Sequence, residues 1–372
     1  MYYEKADFRL RERSIEMIKS IEFINKLHLK IFQSNIDLFK ELKGKVIFIT
    51  GGTGFFGKWL ASYLKFLNEE KFLEIRVIFL TRETKEKYVE EYPHIYKHSL
   101  FEFISGDLAK GIEIEKHQLK NINYVIHAAT STDQPMINTR PWELKSNVVE
   151  GSNKLFNLFS ETNIEQFLFL SSGAVYGNKL NSYVSEEQPV SLKSDEILFS
   201  YAWAKSYTEH LGFLQTRKHS TFPFLVARGF TFYGPFMPLN GNYAAGNFFR
   251  DAIDKKEIVV ESDGTALRSF MFIPDLVSAL FHILLRNGDT KIFNVGSSLP
   301  ISIKELAYLV GEVANVPVKI LGKEKKGLAA NYYVPETNKL KEILNFRELW
   351  TLREGLESSY EYYVQLKKMV NK

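Results

Sequence analysis

Short apolar runs recur along this chain, each followed by a longer stretch where apolar and charged residues mix at helical spacing. Val46 to Ile49 is the first such run; Ile75 to Leu80, Phe101 to Ile104, Tyr124 to Ala128, Phe167 to Leu170 and Phe224 to Val226 follow it. Runs this short and continuous fit parallel strands covered on both faces. Between them, Trp59, Leu60, Tyr63, Leu64 and Leu67 define the apolar side of one helix, and the stretches 142–161 and 201–216 read as two more. Strands alternating with helices predict an α/β fold on a doubly wound parallel sheet, with ligand over the carboxyl ends of the strands.

The flanks read differently. Residues 1–43 carry Ile18, Ile21, Phe23, Ile24 and Leu27 among charged neighbours with no Gly or Pro, which predicts a helical extension packed on the parent domain. After Gly234-Pro235 the texture changes. Residues 235–247 are loop-like, and a helix (Phe248 to Asp254) and strands near Ile258 to Val260 and Ser269 to Ile273 come next. A helix from about Asp275 to Leu285 leads to a strand at Ile292 to Val295, expected to return to the parent sheet. Helices at 303–314 and 349–366 complete a smaller C-terminal lobe. The expected division is therefore 1–43, 44–234 and 235–372.

Composition narrows the function classes. The 372 residues are 45% hydrophobic and 25% charged, ordinary for a globular protein. A net charge of +4 with Lys and Arg interspersed among Asp and Glu gives no basis for a nucleic-acid partner. There are no cysteines, which excludes disulfides and thiolate metal sites, and no metal site is expected. No apolar run approaches a membrane span, and the first residues show no signal-peptide core, so a cytoplasmic protein with no membrane partner is expected.

Candidate chemistry begins at Thr50-Gly51-Gly52-Thr53-Gly54-Phe55-Phe56-Gly57, directly after the first apolar run. Glycines at 51, 54 and 57 permit a tight turn, close approach of backbone to a pyrophosphate, and close packing of helix on strand. The helix N-terminus then presents N–H groups to phosphate. A second constellation is Tyr201 and Lys205, four apart and hence on one helix face. A tyrosine titrates near 10, and a neighbouring ammonium favours its phenolate. Ser172 lies at the end of the apolar run 167–170, where its hydroxyl can bond a substrate oxygen whose proton Tyr201 removes.

In this order, the glycine turn, His127-Ala128-Ala129, Asn147-Val148, Ser171-Ser-Gly-Ala-Val-Tyr-Gly177, Tyr201 with Lys205, Arg228 leading to Tyr233-Gly-Pro235, Asp263-Gly-Thr265 with Arg268, and Asn294-Val-Gly296 resemble the extended short-chain dehydrogenase/reductases of the nucleotide-sugar epimerase/dehydratase group. The resemblance covers about 45–363. It implies a Rossmann-type domain with a smaller α+β substrate lobe, a homodimer, and a nucleotide-sugar substrate oxidised reversibly at C4. Tyr201 would be the base, Ser172 the hydroxyl that holds the oxygen, and Lys205 the contact to the nicotinamide ribose. Gly51, Thr53, Gly54, Phe55, Phe56, Gly57, Asp107, Leu108, Ala128, Ala129 and Thr130 would line the cofactor. Gly173, Thr231, Asn247 and Arg268 would line the substrate, with Arg268 on the diphosphate. His127 and Asn147 are expected to be structural.

Departures from the family pattern bear on the reaction. Sugar 4,6-dehydratases carry an Asp-Glu pair where this chain has Gly173-Ala174, and relatives that decarboxylate or epimerise at C5 keep a Glu at the second position. Neither residue here can move a proton. A 4-epimerase survives that loss and is the leading expectation. A 4-keto reductase, or a dehydratase or decarboxylase with a relocated base such as Glu186 or Glu187, is the alternative; a non-catalytic dinucleotide sensor is the reading from another class. After the second strand, Thr81-Arg82 resembles the version that accepts the 2′-phosphate, so NADP is expected over NAD.

Overall fold

A computed structural model describes residues 20–110, 114, 119, 121–130, 139–177, 182–241, 243–286, 288–323 and 331–370. Seven parallel strands form its central sheet: β1 (Val46–Thr50), β2 (Arg76–Thr81), β3 (Phe101–Ser105), β4 (Tyr124–His127), β5 (Gln166–Ser172), β6 (Phe224–Gly229) and β7 (Ile292–Val295). Their order is β7-β6-β5-β4-β1-β2-β3, so the winding reverses between β1 and β4. A crevice opens over the carboxyl ends of strands at such a reversal. β1 and β4 are buried along their whole length, which is why they read as unbroken apolar runs. β7 pairs with β6 as expected, Asn294 opposite Arg228.

β5 runs on to Ser172, past the expected end at Leu170, because Ser171 and Ser172 pair in register with Arg228 and Gly229. The helix expected over 142–161 is in two parts, a π-helical turn at Lys145–Glu150 and an α-helix at Gly151–Ser160. The expected strand 269–273 is also divided. Leu267–Arg268 pairs with Ile301–Ser302 and with Tyr332–Tyr333, whereas Met271–Phe272 pairs with Phe232–Tyr233. The helix expected from Phe248 already begins in Ala244–Asp254.

Of the N-terminal extension, residues 20–34 and Ile36–Lys40 are helical; 1–19 lie outside the described residues. Ile24, Leu27, Ile31 and Phe39 share one hydrophobic core with Trp59, Tyr63 and Phe281. The extension therefore packs on its own domain, as its apolar spacing predicts. His28 stands in an aromatic cage, its ring centroid 5.4 Å from that of Trp59 and 5.5 Å from those of Tyr63 and Phe66. Asn35 reaches His282 at 3.4 Å, and the Lys30 ammonium lies 4.5 Å from the Trp350 ring centroid. Among the described residues, no helix is long and apolar enough to cross a membrane.

Candidate active site

The glycine turn joins β1 to the Phe55–Lys71 helix. Gly51 has φ +72°, and a Cβ there would lie 2.7 Å from the Ala128 carbonyl carbon, so only glycine lets the turn close on the end of β4. At Gly57 a Cβ would lie 2.2 Å from the Gly51 oxygen; this is the close helix-on-turn contact. Gly54 differs. A Cβ would meet only the Gly51 oxygen, at 3.5 Å, and no side chain caps the helix that Gly54 begins. The turn thus leaves an open backbone cradle at Gly54, and that cradle fits the pyrophosphate of a dinucleotide.

Other expected cofactor residues surround it. Thr53, Phe55 and Phe56 are half-buried, and the Phe56 ring packs edge-on against Phe232 at 5.2 Å. The Thr50 hydroxyl accepts from the Ala129 N–H at 3.1 Å, locking the Ala128-Ala129-Thr130 segment to the turn. At the end of β2, Thr81 donates to the Glu83 carbonyl at 2.8 Å, Glu83 pairs with Lys87 at 3.2 Å, and Arg82 is exposed. Asp107 accepts from the Ala109 N–H at 2.9 Å, a turn-forming bond, and Leu108 packs where Gly151 leaves room.

The three candidate catalytic residues converge beyond β5. Ser172 ends the strand, with its hydroxyl accepting from the Ala174 N–H at 3.2 Å. Tyr201 opens the Ser200–Lys218 helix. Burial pushes its phenol above the usual tyrosine range, while Ser172 pulls it back. Lys205 lies one turn on, its ammonium 6.0 Å from the Tyr201 ring centroid. It donates to Thr130 Oγ1 at 2.6 Å and to the Leu170 carbonyl at 2.7 Å. Burial lowers Lys205 to about 7.

Beneath this set lies a buried polar network. The Arg228 guanidinium meets Glu209 through Nη2 at 2.6 Å and through Nε, and donates to the Tyr176 hydroxyl at 2.8 Å. Ser171 donates to Glu209. Tyr176 donates to Asn294 Oδ1 at 2.8 Å, and the Asn294 N–H is taken by Glu186 at 2.7 Å. Glu186 is thereby committed to holding its loop against β7, and Glu187 pairs with Lys339 at 2.6 Å. Both carboxylates proposed as relocated bases are thus engaged in fastening the 185–188 loop. His127 is buried between Thr50 (2.6 Å) and Ser152 (2.8 Å), a structural position as expected.

On the substrate side, Gly173 is buried, and a Cβ there would come within 2.7 Å of the Phe230 ring. The Arg268 guanidinium is held by the Leu267 and Asn331 carbonyls at 2.8 and 2.9 Å. Thr231 uses its carbonyl for the Met271 N–H, and the Asn247 amide oxygen accepts from Arg250 at 3.2 Å. Two residues that sequence reasoning passed over complete the wall. Phe230 fills the space beside Gly173, and the Tyr333 ring packs on it at a tilt of 38° with centroids 4.7 Å apart. Burial holds the Tyr333 phenol up at about 12, with Ser172 and Arg268 pulling it back.

Comparison with known proteins agrees with this geometry. The model of the NAD dependent epimerase/dehydratase family matches residues 47–296. UDP-glucuronic acid decarboxylase 3 of Arabidopsis thaliana is 28% identical over 318 residues, covering 83% of this chain and 86% of that protein. UDP-N-acetylglucosamine 4-epimerase from Methanobrevibacter ruminantium, in complex with UDP-N-acetylmuramic acid, superposes with a TM-score of 0.74 at 22% identity over 87% of this chain and 99% of that one. UDP-glucuronic acid 4-epimerase from Bacillus cereus, in complex with UDP-glucuronic acid and NAD, gives 0.71 at 21% identity over 86% and 99%. With the glycine cradle, the parallel sheet and a family match across most of the chain, this protein is an enzyme of the NAD dependent epimerase/dehydratase family.

Proposed function

We propose that this enzyme is a nucleotide-sugar 4-epimerase that works by reversible oxidation at C4. The observation that carries the reading is the Ser172, Tyr201 and Lys205 set with Gly173-Ala174 after the serine and the Phe230 ring packed on Gly173. Elimination and decarboxylation in relatives use an acid at those positions, and here the adjoining space holds an aromatic ring instead. Three neighbouring solved structures are named as 4-epimerases of UDP-sugars and the sequence relatives as UDP-glucuronic acid decarboxylases, which together support UDP-sugars as the substrate class.

Bound in the cradle at Gly54, a nicotinamide cofactor supplies the hydride acceptor and donor. The chain's residues manage the proton. Tyr201 takes it from the C4 hydroxyl on oxidation and returns it on reduction, and Ser172 holds the oxygen in place. Burial disfavours a lone charge on either Tyr201 or Lys205, so phenolate and ammonium are held best as a pair. Lys205, anchored by Thr130 and Leu170, keeps that pair aligned. Arg268 grips the diphosphate with the guanidinium edge that the two carbonyls leave available. With Glu83 paired to Lys87 and Thr81 bonded locally, the exposed Arg82 is left available for a ribose 2′-phosphate, which supports the reading of NADP over NAD.

The test is incubation with UDP-, dTDP-, GDP- and CDP-sugars deuterated at C4. A 4-epimerase retains the label and shows no net cofactor change. A 4-keto-6-deoxy product, or stoichiometric cofactor consumption, would overturn the assignment.

A further inference from the structure

The second glycine of the turn is fastened from outside the turn. Tyr96 closes the short Pro93–Tyr96 helix and is fully buried. Its hydroxyl donates to the Gly52 carbonyl at 2.8 Å. Among the described residues no backbone N–H reaches that carbonyl; the turn's own bond runs from the Gly54 N–H to the Gly51 carbonyl at 3.1 Å. The Tyr96 ring is itself held by three others. Phe79 of β2 meets it edge-on with centroids 5.9 Å apart, and Phe103 of β3 and Tyr88 each lie at 6.0 Å. Phe79 also rests directly on Gly52, where a Cβ would come within 2.3 Å of its ring. The ring has no room to turn, so its hydroxyl keeps one aim.

A trans peptide sends its C=O and its N–H to opposite sides. With the Gly52 oxygen drawn to Tyr96, the Thr53 N–H points away from the aromatic cluster, and no acceptor among the described residues takes it. Next in the chain is Gly54, exposed, where a Cβ would meet only the Gly51 oxygen. We propose that Tyr96 is a positioning residue for cofactor binding: by holding the Gly52 carbonyl inward, it presents the Thr53 N–H to the pyrophosphate. This rests on the reading of the turn as the dinucleotide cradle. Gly52 has no Cβ to resist rotation of that peptide. Without the Tyr96 hydroxyl the carbonyl is left buried and unpartnered, and it turns toward water, carrying the Thr53 N–H out of line.

The experiment measures affinity by calorimetry on the full chain freed of bound nucleotide. ADP and adenosine are the probes, since ADP carries the pyrophosphate and adenosine does not. Tyr96→Phe keeps the ring and its packing and removes only the hydroxyl. If about one molecule in five then keeps the peptide correctly turned, ADP and NADP bind about fivefold more weakly. Adenosine binds as it does to the wild type. Tyr88→Phe, which changes the same aromatic cluster without touching the bond to the turn, alters neither affinity. An unchanged ADP affinity in Tyr96→Phe overturns the inference. So does an equal weakening of ADP and adenosine, which marks a general loosening of the domain. A second measurement needs no change at position 96. With the threonine amides isotopically labelled, the Thr53 amide proton, assigned by its loss in Thr53→Ser, moves downfield in the nuclear magnetic resonance spectrum when ADP is added; a resonance that stays in place also overturns the inference. If the wild type binds neither ADP nor NADP, the cradle reading itself falls and takes the inference with it.

Discussion

The caged histidine of the N-terminal extension makes stability depend on pH in a way that can be calculated. Burial lowers His28 from 6.5 to about 3, and neither ring nitrogen has a hydrogen-bond partner. Protonation would place a charge among Trp59, Tyr63 and Phe66. A folded value below the unfolded one means that the unfolded chain binds the proton more tightly. Stability is therefore full above about 6.5 and drains away as the pH falls toward the folded value. At about pH 5 the unfolded histidine is nearly all protonated and the folded one nearly all neutral, which amounts to a loss of about 2 kcal/mol. The figure depends on the unfolded value once the folded value lies below about 4. His127, lowered to about 3 by burial and by Lys205, adds a similar loss over the same window. His28→Leu, close in volume, removes one of the two. Urea denaturation followed by tryptophan fluorescence at about pH 8 and about pH 5 should show the variant losing about 2 kcal/mol less than the wild type between the two conditions. Groups common to both proteins cancel in that difference. Equal losses would refute the reasoning and imply that the cage opens to admit water.

Two further perturbations test the site's foundation and its assembly. Glu209→Ala leaves the Arg228 guanidinium buried without its counter-charge, and denaturant unfolding should show a loss of about 3–5 kcal/mol; a loss below about 1 would mean that Arg228 finds water or another partner. Trp203, Tyr207 and Leu214 are exposed along one side of the Ser200–Lys218 helix, which fits the expected homodimer, so Tyr207→Glu should shift the protein from dimer to monomer in light scattering; a protein that is monomeric before the change would sink the reading.

Much of this architecture is legible in the sequence because buried parallel strands write themselves as unbroken apolar runs. β1, β2 and β4 are of this kind. The glycine turn is legible for a related reason, since Gly51 and Gly57 stand where any larger residue would strike backbone. What depends on partners distant in the chain left no local trace. Ser269 to Ile273 reads as one strand, yet its neighbours are split between two sheets by pairing with Ile301–Ser302, Tyr332–Tyr333 and Phe232–Tyr233. Tyr333 reaches Phe230 and Arg268 only through that pairing, and nothing in its own neighbourhood marks it as a site residue. Glu186 and Glu187 drew notice as acids near the site, but their partners Asn294 and Lys339 lie more than a hundred residues away. The π-helical turn at Lys145–Glu150 has the same apolar spacing as the α-helix expected there, so periodicity alone does not reveal it.

The docking of residues 20–34 also constrains how the molecule is made. Asn35 and His282 are 247 positions apart, and Lys30 waits for Trp350. A ribosome releases the early helix long before it releases the later of these partners. Its apolar side can close over Trp59 and Tyr63 once these are made, whereas the contacts with the Ile273–Leu284 helix and with Trp350 form only after those later segments emerge. The first described helix is thus made well before the partners that finish securing it.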